Sequence, residues 1–465
     1  MSKLFEALNA VQAKTANGAI TNETSGNANV DLFFIAGASR GKNIAGPFVK
    51  AYQENPEYAL RILQWLRDAR GGAGERQLFI ELMKETIRLN LDAASAILTK
   101  TPELGRWKDV LAFEGTALEK QAFDMIAVAL AADDGLCAKW LPRKGKTAAR
   151  LRKHFGLTAK EYRKLIVSMS NTVEQAMCAK RWEDIDFNKI PSLAAARYQK
   201  AFMGNCKERY EAYVESLEKG EADVKINAGA VYPYDIVKSV GYGESRVADQ
   251  QWKALPDYME GTEERILPVV DVSGSMGCAA GGNNSLSCMD VAISLGIYIS
   301  ERNEGTFKDE FMTFSQRPQL HKLTGTLSSR VKQLRGADWG YNTNLQAVFD
   351  TLLTKAKRHG LAQTDMPSKI LILSDMQFDT AVSNNSATNH EAIRNKYKQA
   401  GYDLPQLVFW NLNATVGNSP VTVRDAGTAL ISGFSPAIMG SVLGTNDLNP
   451  LSVMESTIMV PRYDL

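Results

Sequence analysis

The distribution of apolar residues changes period part-way along the chain. From residue 45 to about 220, apolar side chains recur every three to four positions. In ERQLFIELMKETIRLN, Phe79, Met83 and Ile87 stand four apart with Leu82 beside them, and EYALRILQWLRDAR repeats the arrangement with Leu60, Leu63 and Leu66. That spacing gives each segment one apolar stripe and predicts amphipathic helices on a core. The breaks are short (GGAG at 71–74, TPELGRW at 101–107, ADDG at 132–135, IPS at 190–192). Successive helices are therefore expected to pair antiparallel, as a bundle or as an α-solenoid. No strict sequence repeat is visible, so the solenoid reading rests on helix number alone.

After about residue 262 strand-like and helix-like segments alternate. ILPVVDVSGSM reads as a strand, CMDVAISLGIYISERN as a helix, DEFMTFS (309–315) as a strand and NLQAVFDTLLTKAKRHG as a helix. KILILSDMQFD (369–379), HEAIRNKYKQAG and PQLVFWNLN (405–413) continue as strand, helix and strand. This order predicts a doubly wound parallel sheet. The polar NGAITNETSGNANV reads as the end of a loose arm. The expected chain is α + α/β: a flexible N-terminal arm over 1–30, a helical domain over 31–250 and an α/β domain over 262–465. The linker is expected inside 238–262, where GYG and LPDYMEGTEE interrupt the helical pattern.

Composition narrows the class without deciding the function. At 465 residues, 45% apolar and 23% charged, the chain has the make-up of a globular protein of two or three domains. A net charge of +2 is silent about acidic partners, but its distribution is not. Residues 261–465 carry 17 Lys and Arg against 19 Asp and Glu, while 139–164 holds ten basic residues and one acid, Glu161. Five scattered cysteines with no CxxC pair argue against a disulfide framework or a thiolate metal site, and for a reducing compartment. MSKLFEALNAVQAK lacks the apolar core of a signal peptide and no stretch reaches transmembrane length, so a cytoplasmic protein without membrane contact is expected.

The chemistry concentrates where the apolar strands stop. ILPVV runs into DVSGSM (271–276), so Asp271, Ser273 and Ser275 emerge at the C-terminal edge of a strand, where open α/β sheets bind ligands. Asp375 ends ILILS in the same way, and WGYNTNL (339–345), just before a helix, offers Thr343 or Asn342. Oxygen donors on three loops suit a hard cation, Mg²⁺ or Mn²⁺, rather than zinc, and leave a position for a ligand from outside. Taken alone, an Asp after a strand is usually a cap or turn former, and Ser273 and Ser275 also read as caps. The recurrence of Asp271, Thr343 and Asp375, each at its own strand end or before its own helix, favours the metal.

Asp-x-Ser-x-Ser, a Thr some seventy residues on and an Asp after an apolar strand resemble the metal-ion-dependent adhesion site (MIDAS) of von Willebrand factor A domains. The resemblance implies metal ligands Asp271, Ser273, Ser275, Thr343 and Asp375. The Gly-rich GCAAGGNNSLSC (277–288) is a longer continuation of the first loop than that family shows. The helical segments RDARGGAGERQLF, GRWKDVLAF, LRKHFGLTAKEYRKLI, AKRWEDIDFNKIPSLAAARYQKAF and KINAGAVYPYDIV resemble a family of helical-plus-A-domain proteins. That family is in turn similar to the TROVE-domain Ro autoantigens. The likeness spans about 45–440. It implies HEAT-like helical repeats, as a solenoid or ring, followed by a von Willebrand A domain, and binding of small structured or single-stranded RNA in a ribonucleoprotein.

The residues supply a candidate RNA surface of their own: Lys139, Arg143, Lys144, Lys146, Arg150, Arg152, Lys153, Lys160, Arg163 and Lys164. A basic face of this kind neutralises phosphates, and Trp140, His154, Phe155 or Tyr162 among them offers a ring for stacking. The alternative is a solvated helix pair whose long basic side chains cover a core. Arg67, Arg70 and Arg76 around the GGAG turn suggest either an anion site or a structural helix–helix turn with Arg67 and Glu75 in ion pairs. AKRWEDID reads as an internal ion network. The four histidines show no ligand or nucleophile spacing, so no enzyme is expected. The expected function is a non-catalytic RNA-binding scaffold. The rivals are a protein-interaction adaptor whose metal takes a partner's Asp or Glu carboxylate, and a metal-dependent phosphoryl hydrolase.

Overall fold

The computed structural model describes residues 12–170, 172–240, 245–271, 273–280, 286–314, 317–337, 343–379, 388–445 and 448–465. The chain forms two compact units. One contains the residues up to Ile62, Tyr232–Ser245 and Pro256–Asp464, and the other contains Leu63–Val231 and Arg246–Leu255. Described strands are β1 (Gln12–Lys14), β2 (Ile20–Asn22), β3 (Ile266–Val270), β4 (Glu310–Thr313), β5 (Leu320–Lys322), β6 (Lys369–Ser374), β7 (Gln406–Asn411) and β8 (Thr428–Ser432).

Runs of Ile, Leu and Val build the centre of the first unit. Every residue of β3, β6 and β8 is buried, as in a sheet covered on both faces. The sheet order is β5-β4-β3-β6-β7-β8, parallel except for the antiparallel β4–β5 pair. The expected parallel sheet is thus mixed. Strand β5 escaped the sequence reading because it has three residues and an exposed first position, Leu320. Pro268 interrupts an otherwise ideal strand; pairing of β3 with β4 begins only at Val269, beyond the missing N–H. The helix Cys288–Arg302 lies on β3, β4 and β6. Its Gly296 admits this approach, since a Cβ there would stand 2.7 Å from Val270 Cγ2.

The expected arm is part of this unit over its described residues; residues 1–11 lie outside the described set. β1 and β2 pair antiparallel, and Asn22 bridges to Ser419. The helix Ala28–Ala36 is apolar on nearly all sides, which is why it is buried rather than surface-bound. It packs on β8, and Asn27 caps it by accepting from the N–H groups of Asn29 and Val30. The boundaries 31–250 and 262–465 therefore differ from the units of the structure: the described residues 12–62 and 232–240 belong to the unit that contains the sheet.

The second unit is helical, and its helices contact near neighbours in sequence, as Arg76–Leu89 does Leu91–Leu104 and Ser192–Asn205 does Lys207–Lys219. Asp109, fully buried, accepts from Arg67 Nε at 2.8 Å and from Arg76 Nε at 2.5 Å. Arg67 and Arg76 thus meet on the structural carboxylate Asp109, while the exposed Arg70 donates to the Glu103 carbonyl at 2.9 Å. AKRWEDID behaves oppositely to expectation: Arg181 and Asp184 pair at 3.0 Å, but both are exposed.

Candidate functional site

Asp271 follows β3 and Asp375 follows β6. These strands are neighbours, and the winding reverses between them, because the chain leaves β3 for β4 on one side and reaches β6 on the other. The crevice at such a reversal is where open α/β sheets take ligands. Both carboxylates are buried. Asp271 Oδ2 accepts from Ser374 Oγ at 2.6 Å and Oδ1 from the Ser273 N–H at 2.9 Å, which fixes its plane. Asp375 Oδ1 accepts from the Gln377 N–H at 3.1 Å, and the Ser275 hydroxyl also bonds this carboxylate. Ser275 Oγ lies 3.0 Å from Ser273 Oγ. Asp271, Ser273, Ser275 and Asp375 thus form one cluster, with Ser275 exposed at its outer side.

The loop carrying Asp375 is held tightly. Met376, buried, has φ 62, a left-handed conformation costly for a side-chain-bearing residue. Its N–H donates to Ser374 Oγ at 3.1 Å, and its carbonyl accepts from Asn418 Nδ2 at 3.0 Å. Both bonds hold the turn that aims Asp375 at Asp271.

Burial and then the Asp375 charge push the Asp271 carboxyl up to about 6, and burial raises Asp375 as well. Among the described residues no ion pair neutralises either. The described residues contain no cluster of three or more His, Cys, Asp or Glu suited to a metal. What they do gather is two carboxylates and two hydroxyls, a donor set for a hard cation rather than for zinc.

Thr343 bonds the loop that follows Asp375. Its Oγ1 lies 2.9 Å from the Gln377 carbonyl and 3.1 Å from Asp379 Oδ1, and it accepts from Asn17 Nδ2 at 3.1 Å. It is therefore beside the Asp375 loop, with its single proton committed to Gln377 or Asp379. Asn342, the alternative on the same loop, lies outside the described residues, as does 281–285 of the long first loop. Asn17, Ser374, Gln377 and Asp379 were missed by the sequence reading. So was Lys42, which donates to Asn413 Oδ1 and the Ala414 carbonyl, both at 2.5 Å. Nothing local marks Asn17 or Lys42, since they reach the site across more than 300 residues of chain.

In the helical unit the basic cluster occupies the end of the helix Gly135–Trp140, the helices Lys146–Phe155 and Ala159–Met169, and the turns between. Gly156, at φ 67, closes the first long helix, and Thr158 with Glu161 caps the second. Ala148 and Leu151 face inward on one helix, Tyr162 and Ile166 on the other. Helical spacing then sets Lys146, Arg150 and Lys153 on one outer stripe and Lys160, Arg163 and Lys164 on another. All six are exposed, as are Arg143 and Lys144; Arg152 and Lys139 are half-buried. Arg150 is committed, pairing with Glu119 and, at 3.4 Å, with Glu114. Lys139 lies over the Trp140 ring at 5.9 Å, with the Arg106 guanidinium 4.7 Å from the same ring.

The aromatic residues expected to stack bases are mostly engaged. Tyr162 is buried and donates to the Pro142 carbonyl. His154 bonds Asp124 at 2.8 Å and packs edge-on to Phe123 and Phe155. Among the described residues, no helix is long and apolar enough to cross a membrane.

Comparison with known proteins finds the RO (RSR) protein of Deinococcus radiodurans, with 14% identity, a TM-score of 0.40 and coverage of 93% of each chain. It also finds the uncharacterized protein L728 of Acanthamoeba polyphaga mimivirus, 30% identical over 516 residues, which span 97% of this chain and 88% of that one. The profile of a domain of unknown function, DUF7788, matches residues 265–457. A second, DUF2828, matches 15–126 and 123–262 and so begins within the segment that joins the sheet. The chain belongs to the DUF2828 family and carries a DUF7788 region after it.

Proposed function

We propose that this protein is a non-catalytic RNA-binding scaffold whose α/β unit carries a Mg²⁺- or Mn²⁺-dependent ligand site of the A-domain type. The observation that carries the cation site is the pair Asp271 and Asp375. Two buried carboxylates at adjacent strand ends repel each other and lack a neutralising ion pair among the described residues. Burying like charges is costly unless something neutralises them, and a divalent cation does so. Asp271, Ser273, Ser275 and Asp375 would hold it, with Thr343 offering an oxygen lone pair while its proton stays on Gln377 or Asp379. The cation supplies a positive centre for one anionic oxygen of a ligand. Ser374 and the Ser273 N–H hold Asp271 in place for it, and the exposed Ser275 marks the open side.

The RNA half of the reading rests on the two basic stripes of Lys146–Phe155 and Ala159–Met169. Exposed Lys and Arg in rows suit phosphates, and binding of this kind is salt-dependent. The cation and the RNA are assigned to different units, because residues 261–465 carry more acids than bases. Affinity for a structured RNA should then differ by no more than about threefold, ~0.7 kcal/mol, between Mg²⁺ and EDTA once RNA folding is controlled for. Loss of RNA binding in EDTA, restored by Mg²⁺, would place RNA on the metal and overturn the two-site reading. The exposed Ser275 supports a second reading, an adaptor whose cation takes a partner's carboxylate without RNA. Purification without nuclease separates the two, since only the scaffold carries an ultraviolet absorbance ratio typical of nucleic acid.

A further inference from the structure

We infer that Cys278 and Cys288 are a redox-active dithiol, a modification site for a two-electron oxidant of the peroxide class. Five scattered cysteines gave no sign of a pair, yet the fold brings these two sulfurs to 3.4 Å. A disulfide needs about 2.05 Å, so closure asks for a movement of roughly 1.4 Å, within reach of small side-chain rotations.

The backbone makes the approach a built one. The Cys288 N–H donates to the Cys278 carbonyl at 3.1 Å, and the Ala280 N–H to the Leu286 carbonyl at 2.7 Å. Ala279 and Ser287 form an antiparallel bridge between those bonds. The two cysteines are thus held opposite each other where the chain leaves and re-enters this neck, and Cys288 begins a helix anchored on the sheet.

The two thiols have different surroundings. Cys288 is buried, with its sulfur 3.4 Å from the Leu412 carbonyl. Cys278 is part-exposed and accepts from Asn413 Nδ2 at 3.2 Å. Lys42 holds the other end of that amide, Oδ1, which leaves the Asn413 N–H₂ turned toward the sulfur. The part-exposed Cys278 is the sulfur an oxidant reaches first and so the attacking thiol, and the buried Cys288 is the resolving thiol. By contrast Cys137 and Cys206 are buried with raised thiols, and Cys178 is exposed.

The chemistry balances in two steps. Cys278 thiolate attacks one oxygen of a hydroperoxide, the O–O bond breaks, and a sulfenic acid forms while the other oxygen leaves and is protonated. Cys288 sulfur then attacks the sulfenic sulfur, the S–O bond breaks, and water departs with the Cys288 proton. Two thiols lose two electrons and the peroxide gains them. A cellular dithiol reverses the reaction by exchange, in keeping with the transient disulfides of reducing compartments.

The test uses the whole 465-residue chain and hydrogen peroxide, and requires no metal. Reduced protein treated with equimolar peroxide should yield one cross-linked peptide pair, Cys278 with Cys288, and lose two titratable thiols that dithiothreitol restores. Cys288→Ser should instead trap a sulfenic acid at Cys278, detected by dimedone labelling. Lys42→Gln should slow Cys278 oxidation by about tenfold while leaving Cys178 alkylation unchanged. Absence of the Cys278–Cys288 peptide, or labelling of Cys278 in Cys288→Ser no faster than Cys178, would overturn the inference.

Discussion

At the scale of single residues, the account turns on Asp271. Its carboxyl in the folded protein titrates near 6, above the ordinary value of 3.8, because burial and Asp375 disfavour the charge. The fold therefore prefers the protonated form. That contribution is complete below about pH 4 and is lost as pH rises through about 6, a change of at most on the order of 3 kcal/mol. In EDTA, the stability of Asp271→Asn relative to wild type should accordingly grow between about pH 4 and pH 7, followed by thermal melts. Mg²⁺ should raise the wild-type melting temperature at pH 7 and leave it unchanged near pH 4, where the carboxyl holds its proton. A difference between variant and wild type that stays flat with pH would mean Asp271 does not titrate in this window. Asp271 and Asp375 were legible in the sequence because each follows an apolar run that reads as a buried strand, with Ser273 and Ser275 two and four positions beyond Asp271. Ser374, which orients Asp271, was hidden inside such a run. Thr343 was legible as a residue, but the bonds that occupy it come from Asn17, Gln377 and Asp379.

At the scale of elements, the basic helix pair was readable from composition and spacing, while its internal ion pairs were not. Arg150 belongs to the stripe by position yet pairs with Glu114 and Glu119 on another part of the fold. No pattern within 139–164 announces those acids. The distinction changes which substitutions are informative. Charge reversal at Arg150 breaks a structural contact, whereas Lys153, Lys160, Arg163 and Lys164 are exposed and lie opposite the buried faces. Neutralising these four to Gln should weaken RNA binding about equally across sequences. It should also reduce the log–log salt slope by about 0.7 for each lost phosphate contact on single-stranded RNA. Anisotropy titrations at several salt concentrations measure both. An unchanged slope would remove the stripes as the RNA surface. The engaged state of Tyr162 and His154 also predicts little sequence preference, since base stacking would need them released.

At the scale of the whole molecule, sequence and structure part company over where the sheet unit begins. The alternation after residue 262 announced the sheet, but not that the residues up to Ile62 build onto it. NGAITNETSGNANV is polar because its side chains cap and bridge. Asn17 Nδ2 donates to the Gln377 carbonyl, and Thr21 Oγ1 and Asn22 Nδ2 both donate to the Ser419 carbonyl. Local composition cannot distinguish such bonds from solvation. Deleting residues up to Asn22 should therefore lower the melting temperature of the sheet unit and weaken Mg²⁺ binding. An arm without contacts would leave both unchanged, and circular dichroism melts of the truncated chain decide the matter.

The central claim is that a divalent cation sits between Asp271 and Asp375 at the reversal of the sheet. The most direct measurement is calorimetric titration of Mg²⁺, and then Mn²⁺, into protein stripped with EDTA and exchanged to neutral buffer. The account predicts one saturable site per chain in the wild type and none in Asp271→Ala, with the helical circular dichroism of the variant preserved. Equal binding by both proteins, or no saturable site in the wild type for either ion, would contradict it.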